Sequence, residues 1–222
     1  MASLYRHIVI MGPPGSGKGT QSAVLTEKIG LYNISTGDLL RQVSAEDTPL
    51  GRDVKGLIDK GNFVPDETIL KVMQEQLKKI PEEKGYILDG FPRTLPQAKA
   101  LDEMMASQMP GRGLDLVLFL QVPDAYVIER IIGRSKCAHC GALYHERYKQ
   151  PKVFGICDVC GHKEFERRED DTYETVLLRL QKYRKLTEPV IPYYEDKGLL
   201  VCIDGVGPID VVAEKIRQVV GY

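Results

Sequence analysis

Two stretches of this sequence have the residue types and spacing for chemistry. GPPGSGKGT (Gly12–Thr20) follows the apolar run HIVIM and leads into a stretch of helical period. In that setting the glycines let the backbone wrap a phosphate with its N–H groups, and the helix N-terminus adds positive partial charge. Lys18 can reach the β- and γ-phosphates of a nucleotide, so the pattern reads as a phosphate loop. The second stretch holds Cys137, Cys140, Cys157 and Cys160, two CxxC pairs with sixteen residues between them. That is zinc spacing, and four thiolates close a tetrahedral shell with no place for water, so such a metal is structural. An iron–sulfur centre is the weaker alternative. His139 and His162 stand beside the knuckles and read as loop histidines.

The elements around them alternate. Apolar runs at His7–Met11, Tyr32–Ser35, Tyr86–Leu88 (ending at Asp89), Leu116–Val122 and Leu199–Ile203 predict five strands. They are nearly continuous in apolar residues, as strands covered on both faces must be, and helix-period segments separate them. This is the pattern of an α/β fold with a parallel sheet. Thr36–Val64 is helical and polar and reads as an inserted cap. Gly133–Asp171 has little helical period and leaves the chain between two helices, AYVIERIIGR and TYETVLLRLQKYRKL. In the first of these, Arg130 and Arg134 are four residues apart and are expected on one helix face. In the second, Asp171 is the expected N-cap, with Glu174 as its capping-box partner.

With 222 residues the chain suits one α/β domain with small inserts. A formal charge of −1 offers no global basic field, so neither nucleic acid nor an anionic membrane is an expected partner. The apolar runs are too short to span a bilayer, and the N-terminus lacks a signal-peptide layout, so a cytoplasmic protein is expected. An odd count of five cysteines argues for a metal site plus one buried thiol, Cys202, expected in the core.

Three strings carry a family resemblance. GPPGSGKGT departs from the general phosphate-loop pattern, since Gly19 follows Lys18 and the hydroxyl comes one place later, at Thr20. That form, with ISTGDLLR (Ile34–Arg41) and ILDGFPRTLPQA (Ile87–Ala98), resembles adenylate kinases of the long form, over essentially the whole chain. The resemblance implies a P-loop kinase fold: a five-stranded parallel sheet with helices on both faces, an NMP-binding helical insert and a small zinc-ribbon lid. It divides the chain into a core (1–34, 65–132 and 172–222), the insert (35–64) and the lid (133–171). It implies reversible phosphoryl transfer from Mg-ATP to AMP, giving two ADP, without a covalent enzyme intermediate.

The same resemblance assigns residues. ATP is met by Gly15, Ser16, Gly17, Lys18, Gly19, Thr20, Arg130, Arg134, Leu143, Tyr144 and Gly207. AMP is met by Thr36, Arg41, Asn62, Phe63, Val64, Gly90, Phe91, Pro92, Arg93, Gln97, Arg168 and Arg179. Lys18, Arg93, Arg130, Arg134, Arg168 and Arg179 are the catalytic set, because arginine supplies planar, permanently charged donors to crowded phosphates. Asp89, at a strand end, would hold Mg²⁺ directly or through water; a turn aspartate is its plainer reading. Gln97 carries a donor and an acceptor, as the edge of adenine requires. Thr94, where pyrimidine kinases usually carry Asn, also favours AMP. The zinc would be structural, and a monomer is expected because a partner would hinder two mobile caps.

Three other readings compete: a kinase for GTP with AMP or ATP with UMP or CMP, a zinc-ribbon nucleic-acid binder, and a nucleotide switch. The charge argues against the binder. The second phosphate pocket at Thr36, Arg41, Arg93 and Gln97 argues against the switch.

Overall fold

The computed structural model describes residues 5–59 and 64–222, and in it strands and helices alternate as the apolar pattern predicts. The strands are β1 (His7–Met11), β2 (Tyr32–Ser35), β3 (Tyr86–Asp89), β4 (Leu116–Gln121), β5 (Arg134–Cys137), β6 (Leu143–His145), β7 (Phe165–Glu166) and β8 (Leu200–Asp204). The helices are α1 (Lys18–Ile29), α2 (Thr36–Ala45), α3 (Pro49–Asp59), α4 (Asp66–Lys78), α5 (Leu95–Gln108), α6 (Asp124–Ile132), α7 (Tyr173–Leu186), α8 (Val190–Asp196) and α9 (Ile209–Val220).

Five strands form one parallel sheet in the order β2-β3-β1-β4-β8. Its two faces are buried by different helices, because successive side chains of a strand point opposite ways. Ile8 and Ile10 join Leu25 of α1 and Val212, Ile216 and Val220 of α9. Val9 and Met11 join Met73 and Leu77 of α4, Leu101 of α5 and Tyr194 of α8. Each such buried aliphatic side chain contributes ~1.5–3 kcal/mol, so the sheet is a stiff base for the loops at its edge.

The register decides which loops meet. Ile10 pairs with Asp89 and Ser35 pairs with Asp89, so β1, β2 and β3 end side by side. The phosphate loop, the start of α2 and the turn after β3 therefore share the carboxyl edge, where open α/β sheets bind ligands.

Two local expectations are corrected. Cys202 is exposed, because β8 is the edge strand and its side chains are covered incompletely. Arg134 is not on the face of α6: that helix stops at Ile132, Gly133 caps it, and Arg134 opens β5. The chain must turn there because Arg134 pairs with His145, and a Cβ on Gly133 would stand 2.5 Å from the His145 ring. The segment beyond is a small antiparallel sheet, β6-β5-β7.

Candidate active site

The phosphate loop is shaped by close approaches. At Gly12, with φ +148°, a Cβ would meet both the Leu120 carbonyl oxygen and Ser16 Oγ at 2.8 Å. At Gly15 a Cβ would press within 2.6 Å of Ile131. No side chain caps α1, whose N-cap is Gly17, so its first N–H groups are not spent on a side-chain oxygen. Ser16 Oγ is buried without a hydrogen-bond partner, an orphan that a phosphate oxygen would satisfy. Lys18 Nζ donates to the carbonyls of Gly12 and Pro13, both at 2.8 Å, and so lies across the loop.

Desolvation lowers the Lys18 ammonium to about 8; Asp89 opposes the shift, while Arg93 and Arg134 add to it. The linkage sign follows. Between about 8 and the ordinary 10.5 the unfolded chain binds a proton at this lysine that the folded chain does not, so folded stability rises with pH there. Below about 8 both states are charged and the handicap is constant. Whatever offset Lys18→Met has at pH 7, the stability gap between variant and wild type is expected to move in favour of the wild type as pH rises from 8 to 10. Calorimetric melting of both proteins across that range checks it. A gap that stays flat contradicts a depressed lysine.

Asp89 is the counter-charge at the end of β3. Burial raises its pKa, and Lys18 and Arg93 oppose that. A Cβ at position 19 would stand 3.2 Å from Asp89 Oδ2, so Gly19 is what leaves this carboxylate uncovered at the start of α1. An uncovered carboxylate beside a phosphate loop fits a hydrated divalent cation.

The acceptor side is built from α2, the β3 turn and the starts of α4 and α5. Thr36 is buried at the start of α2, its hydroxyl 4.0 Å from Met73 Sδ. Arg41 is paired with Asp38. Arg93 is held at three points: its N–H donates to Gln97 Oε1 (2.7 Å), its Nε to the Gly90 carbonyl (2.7 Å), and its carbonyl accepts from Thr187 Oγ1 (2.8 Å). Burial lowers its pKa, which Asp89 opposes and Arg41 reinforces. Phe91 and Val64 turn their side chains into the core, and Pro92 is buried, so these three can meet a ligand through backbone alone. Asn62 and Phe63 lie outside the described residues. Thr94 caps α5 by accepting from the Gln97 N–H (3.2 Å), and its hydroxyl donates to Asp66 Oδ2 (2.9 Å).

Four more arginines approach from the other side. Arg134 donates to both carboxylate oxygens of Asp171, at 2.9 and 2.6 Å, and Arg179 pairs with Asp170 and lies 3.8 Å from Asp171. This replaces the expected capping box. The Asp171 side chain is 2 % exposed and taken up by guanidinium groups, so Thr172 caps α7 instead, accepting from the Thr175 N–H. Arg179 is brought down to about 10 by burial and by the charges of Arg134, Arg168, Arg93 and Arg41. Burial lowers Arg168 as well, with Arg134 and Arg41 adding to it. Cations placed close enough to disfavour one another need an anion between them.

Arg130 stands apart from that group. It donates to the Ser16 carbonyl (3.2 Å), the Gly205 carbonyl (3.0 Å) and the Gly207 carbonyl (3.4 Å), which ties α6 to the phosphate loop and the β8 turn. It also lies over the ring of Tyr148, 5.9 Å from its centre. Sequence reasoning missed Tyr148. Its only signal was an exposed aromatic within the cysteine ribbon, where an aromatic usually fills a small core. Pro208 and Ile209, next to Gly207, line a cavity of 520 Å³ together with Tyr148. Tyr144, in contrast, is buried: its hydroxyl donates to Cys157 Sγ (3.4 Å) and accepts from the Asp158 N–H (2.7 Å). Its side chain belongs to the four-cysteine clip. Leu143, its neighbour on β6, is half-buried.

The four cysteines of the clip come together as their spacing predicts. Their sulfur atoms all lie within 4.8 Å of one another, with Cys137–Cys160 at 3.6 Å and Cys140–Cys157 at 3.5 Å. A disulfide needs ~2.05 Å between sulfurs, whereas a tetrahedron with metal–sulfur bonds of ~2.3 Å sets them ~3.8 Å apart. The set therefore fits a tetrahedral soft cation such as zinc. The Tyr144 hydroxyl holds the Cys157 thiol down to about 6, toward the thiolate that a metal requires. His139 and His162 stack on each other at 4.8 Å, and the four-sulfur cluster is complete without them.

A family model described as adenylate kinase matches residues 10–199. A curated adenylate kinase of Paramagnetospirillum magneticum is 46% identical over 213 residues, 96% of this chain and 97% of that protein. One from Clostridium tetani is 44% identical over 97% of this chain and 98% of its own length. One from Methanosarcina barkeri is 47% identical over 96% and 97%.

Proposed function

This chain belongs to the adenylate kinase family, whose reaction is reversible phosphoryl transfer from ATP to AMP to give two ADP, and from that premise we propose how its residues divide the task. The phosphate loop, Gly15 to Thr20, holds the ATP phosphates, with Lys18 on the transferring end. Arg130, bonded to the Ser16 carbonyl and lying over Tyr148, stands on the ATP side beside the phosphate loop, and the Gly207 carbonyl meets the edge of the donor base. Leu143 and Tyr144 approach ATP through the lid backbone. Thr36, Arg41, Arg93, Gln97 and the backbone of Val64 and Gly90–Pro92 hold AMP, with Asn62 and Phe63 completing that wall.

Arg134, Arg168 and Arg179 bridge the two nucleotides. Phosphoryl transfer asks little covalent chemistry of a protein, so positioning and charge stabilisation are its work. Asp170 pairs with Arg179 and Asp171 with Arg134, which holds these guanidinium groups in place. Asp89 would hold the Mg²⁺ that comes with ATP, directly or through water, and the ion would supply positive charge beside the phosphates. No general base is assigned, because an AMP phosphate is already ionised at neutral pH.

The insert (35–64) and the lid (133–171) close on the core (1–34, 65–132 and 172–222). Closure excludes water, which would otherwise accept the phosphoryl group. Cys137, Cys140, Cys157 and Cys160 would hold zinc, which would keep the lid one body as it closes. We place the protein in the cytoplasm as a monomer; among the described residues no helix is long and apolar enough to cross a membrane.

The observation that carries this division is the gathering of Lys18, Arg41, Arg93, Arg134, Arg168 and Arg179, from separate elements, at one sheet edge, with their charges acting on one another. The test is diphosphate formation with Mg-ATP and AMP, GMP, UMP or CMP as acceptor. Turnover is expected with AMP at least ~10²-fold above the others in kcat/KM, as for a site built on base-edge hydrogen bonds. Equal use of UMP or CMP removes Gln97 and Thr94 from the base-selecting role.

A further inference from the structure

We propose that Asp66 is a specificity-determining positioning residue: it locks the Gln97 amide in the orientation that accepts a 6-amino purine and rejects a 6-oxo purine. The proposal rests on reading Gln97 as the residue that meets the acceptor base.

Gln97 is 1 % exposed, and both ends of its amide are engaged. Its Oε1 accepts from the Arg93 backbone N–H at 2.7 Å, and its Nε2 donates to Asp66 Oδ1 at 2.6 Å. The first partner can only donate and the second, as a carboxylate, can only accept. Turning the amide over would set donor against donor and acceptor against acceptor. Two partners from different elements, the β3–α5 turn and the first residue of α4, therefore select the same orientation. Thr94 holds the lock from behind, donating its hydroxyl to the other Asp66 oxygen at 2.9 Å. The N-terminus of α4 also favours the Asp66 charge.

After these bonds the amide keeps one N–H and one oxygen lone pair. In adenine, N1 accepts and the 6-amino group donates, which matches what remains. In hypoxanthine or guanine, N1–H donates and O6 accepts, which a freely turning amide could serve by flipping over. A locked amide cannot. Asp66 thus supplies the acceptor that, together with the Arg93 N–H, makes an amide able to serve either edge into one that discriminates, without itself touching the base.

The experiment measures kcat/KM with AMP and with inosine 5′-monophosphate, which differ only in this edge, for wild type, Asp66→Asn, Asp66→Ala and Gln97→Ala. The expected result is a fall of ~10-fold or more in the AMP-to-IMP ratio for both Asp66 variants, with KM for ATP moving less than about twofold. A packing or capping defect would lower both acceptors together and leave the ratio alone. If Gln97→Ala collapses the ratio and the Asp66 variants keep it, Gln97 reads the base but Asp66 does not orient it, and the proposal falls. If Gln97→Ala also keeps the ratio, the base-reading role of Gln97 fails and the proposal falls with it. Thr94→Val, which frees the second Asp66 oxygen, is the alternative variant should the Asp66 substitutions not fold; an unchanged ratio there counts against the lock.

Discussion

Arg93→Ala is expected to lower kcat by ~10³-fold, and Arg93→Lys to recover only a small part of the loss. The reason lies in how the side chain is held. Arg93 reaches the crevice with its Nε anchored on the Gly90 carbonyl, between Asp89 and Arg41. Its backbone N–H and carbonyl are bound by Gln97 and Thr187, and neither bond involves the guanidinium. Substitution therefore keeps the turn and removes the charge. Lysine restores a charge but not the fork, nor the Nε–H that fixes its direction. Lost transition-state stabilisation must appear in kcat under saturating nucleotide, with the melting temperature little changed. A loss in kcat of less than about tenfold would remove Arg93 from the transferring site and leave it an acceptor-binding residue only.

Removal of the metal is expected to have the second large effect. The buried apolar cluster of the lid consists of Cys137, Tyr144 and Cys157, with Ala142 and Phe165 against it. Two of those three buried residues belong to the four-cysteine set that would hold zinc, so without a metal little core remains for a segment of this length. Structural zinc contributes ~10–16 kcal/mol in small zinc-folded peptides at neutral pH, which is enough to decide whether such a ribbon is folded. Chelation, or Cys157→Ser, is expected to make the amides of residues 137–165 exchange rapidly while those of β1, β3 and β4 stay protected. Turnover falls with the lid, because water is no longer excluded. Turnover lost with the lid still protected and the melting temperature unchanged would instead give the metal a role beyond structure.

Much of the fold was legible because its signals are local. Buried strands read as unbroken apolar runs, and all five lie within one residue of their expected ends, with β8 displaced by one. The phosphate loop was legible for the same reason: strand, glycines, lysine and helix are contiguous. The cysteine clip was legible because two CxxC knuckles prescribe their own geometry. The failures share a cause as well. Arg134 looked helical, because the apolar period runs through it, but pairing with His145, eleven residues on, takes it into β5. Asp171 looked like a cap until Arg134, far back in the chain, claimed its carboxylate. Cys202 looked buried, because its neighbours are apolar, and only the strand order put β8 on the edge.

The sequence by itself determined the α/β class, the phosphate loop, the four-cysteine cluster and, through its motifs, the family. Each depends on residues close together in the chain, where backbone geometry follows from residue type. Only the tertiary structure decided how the charges are shared. It gave Arg134 and Arg179 to Asp171 and Asp170, set Tyr148 under Arg130, spent Tyr144 on the metal clip, and closed Asp66 onto Gln97. Such pairings join residues from 9 to 37 positions apart, as the separations of Arg179 from Asp170 and of Arg134 from Asp171 show. A charged or polar side chain chooses among all the partners the fold brings near it, and that choice is made by distance and burial, which no local pattern encodes.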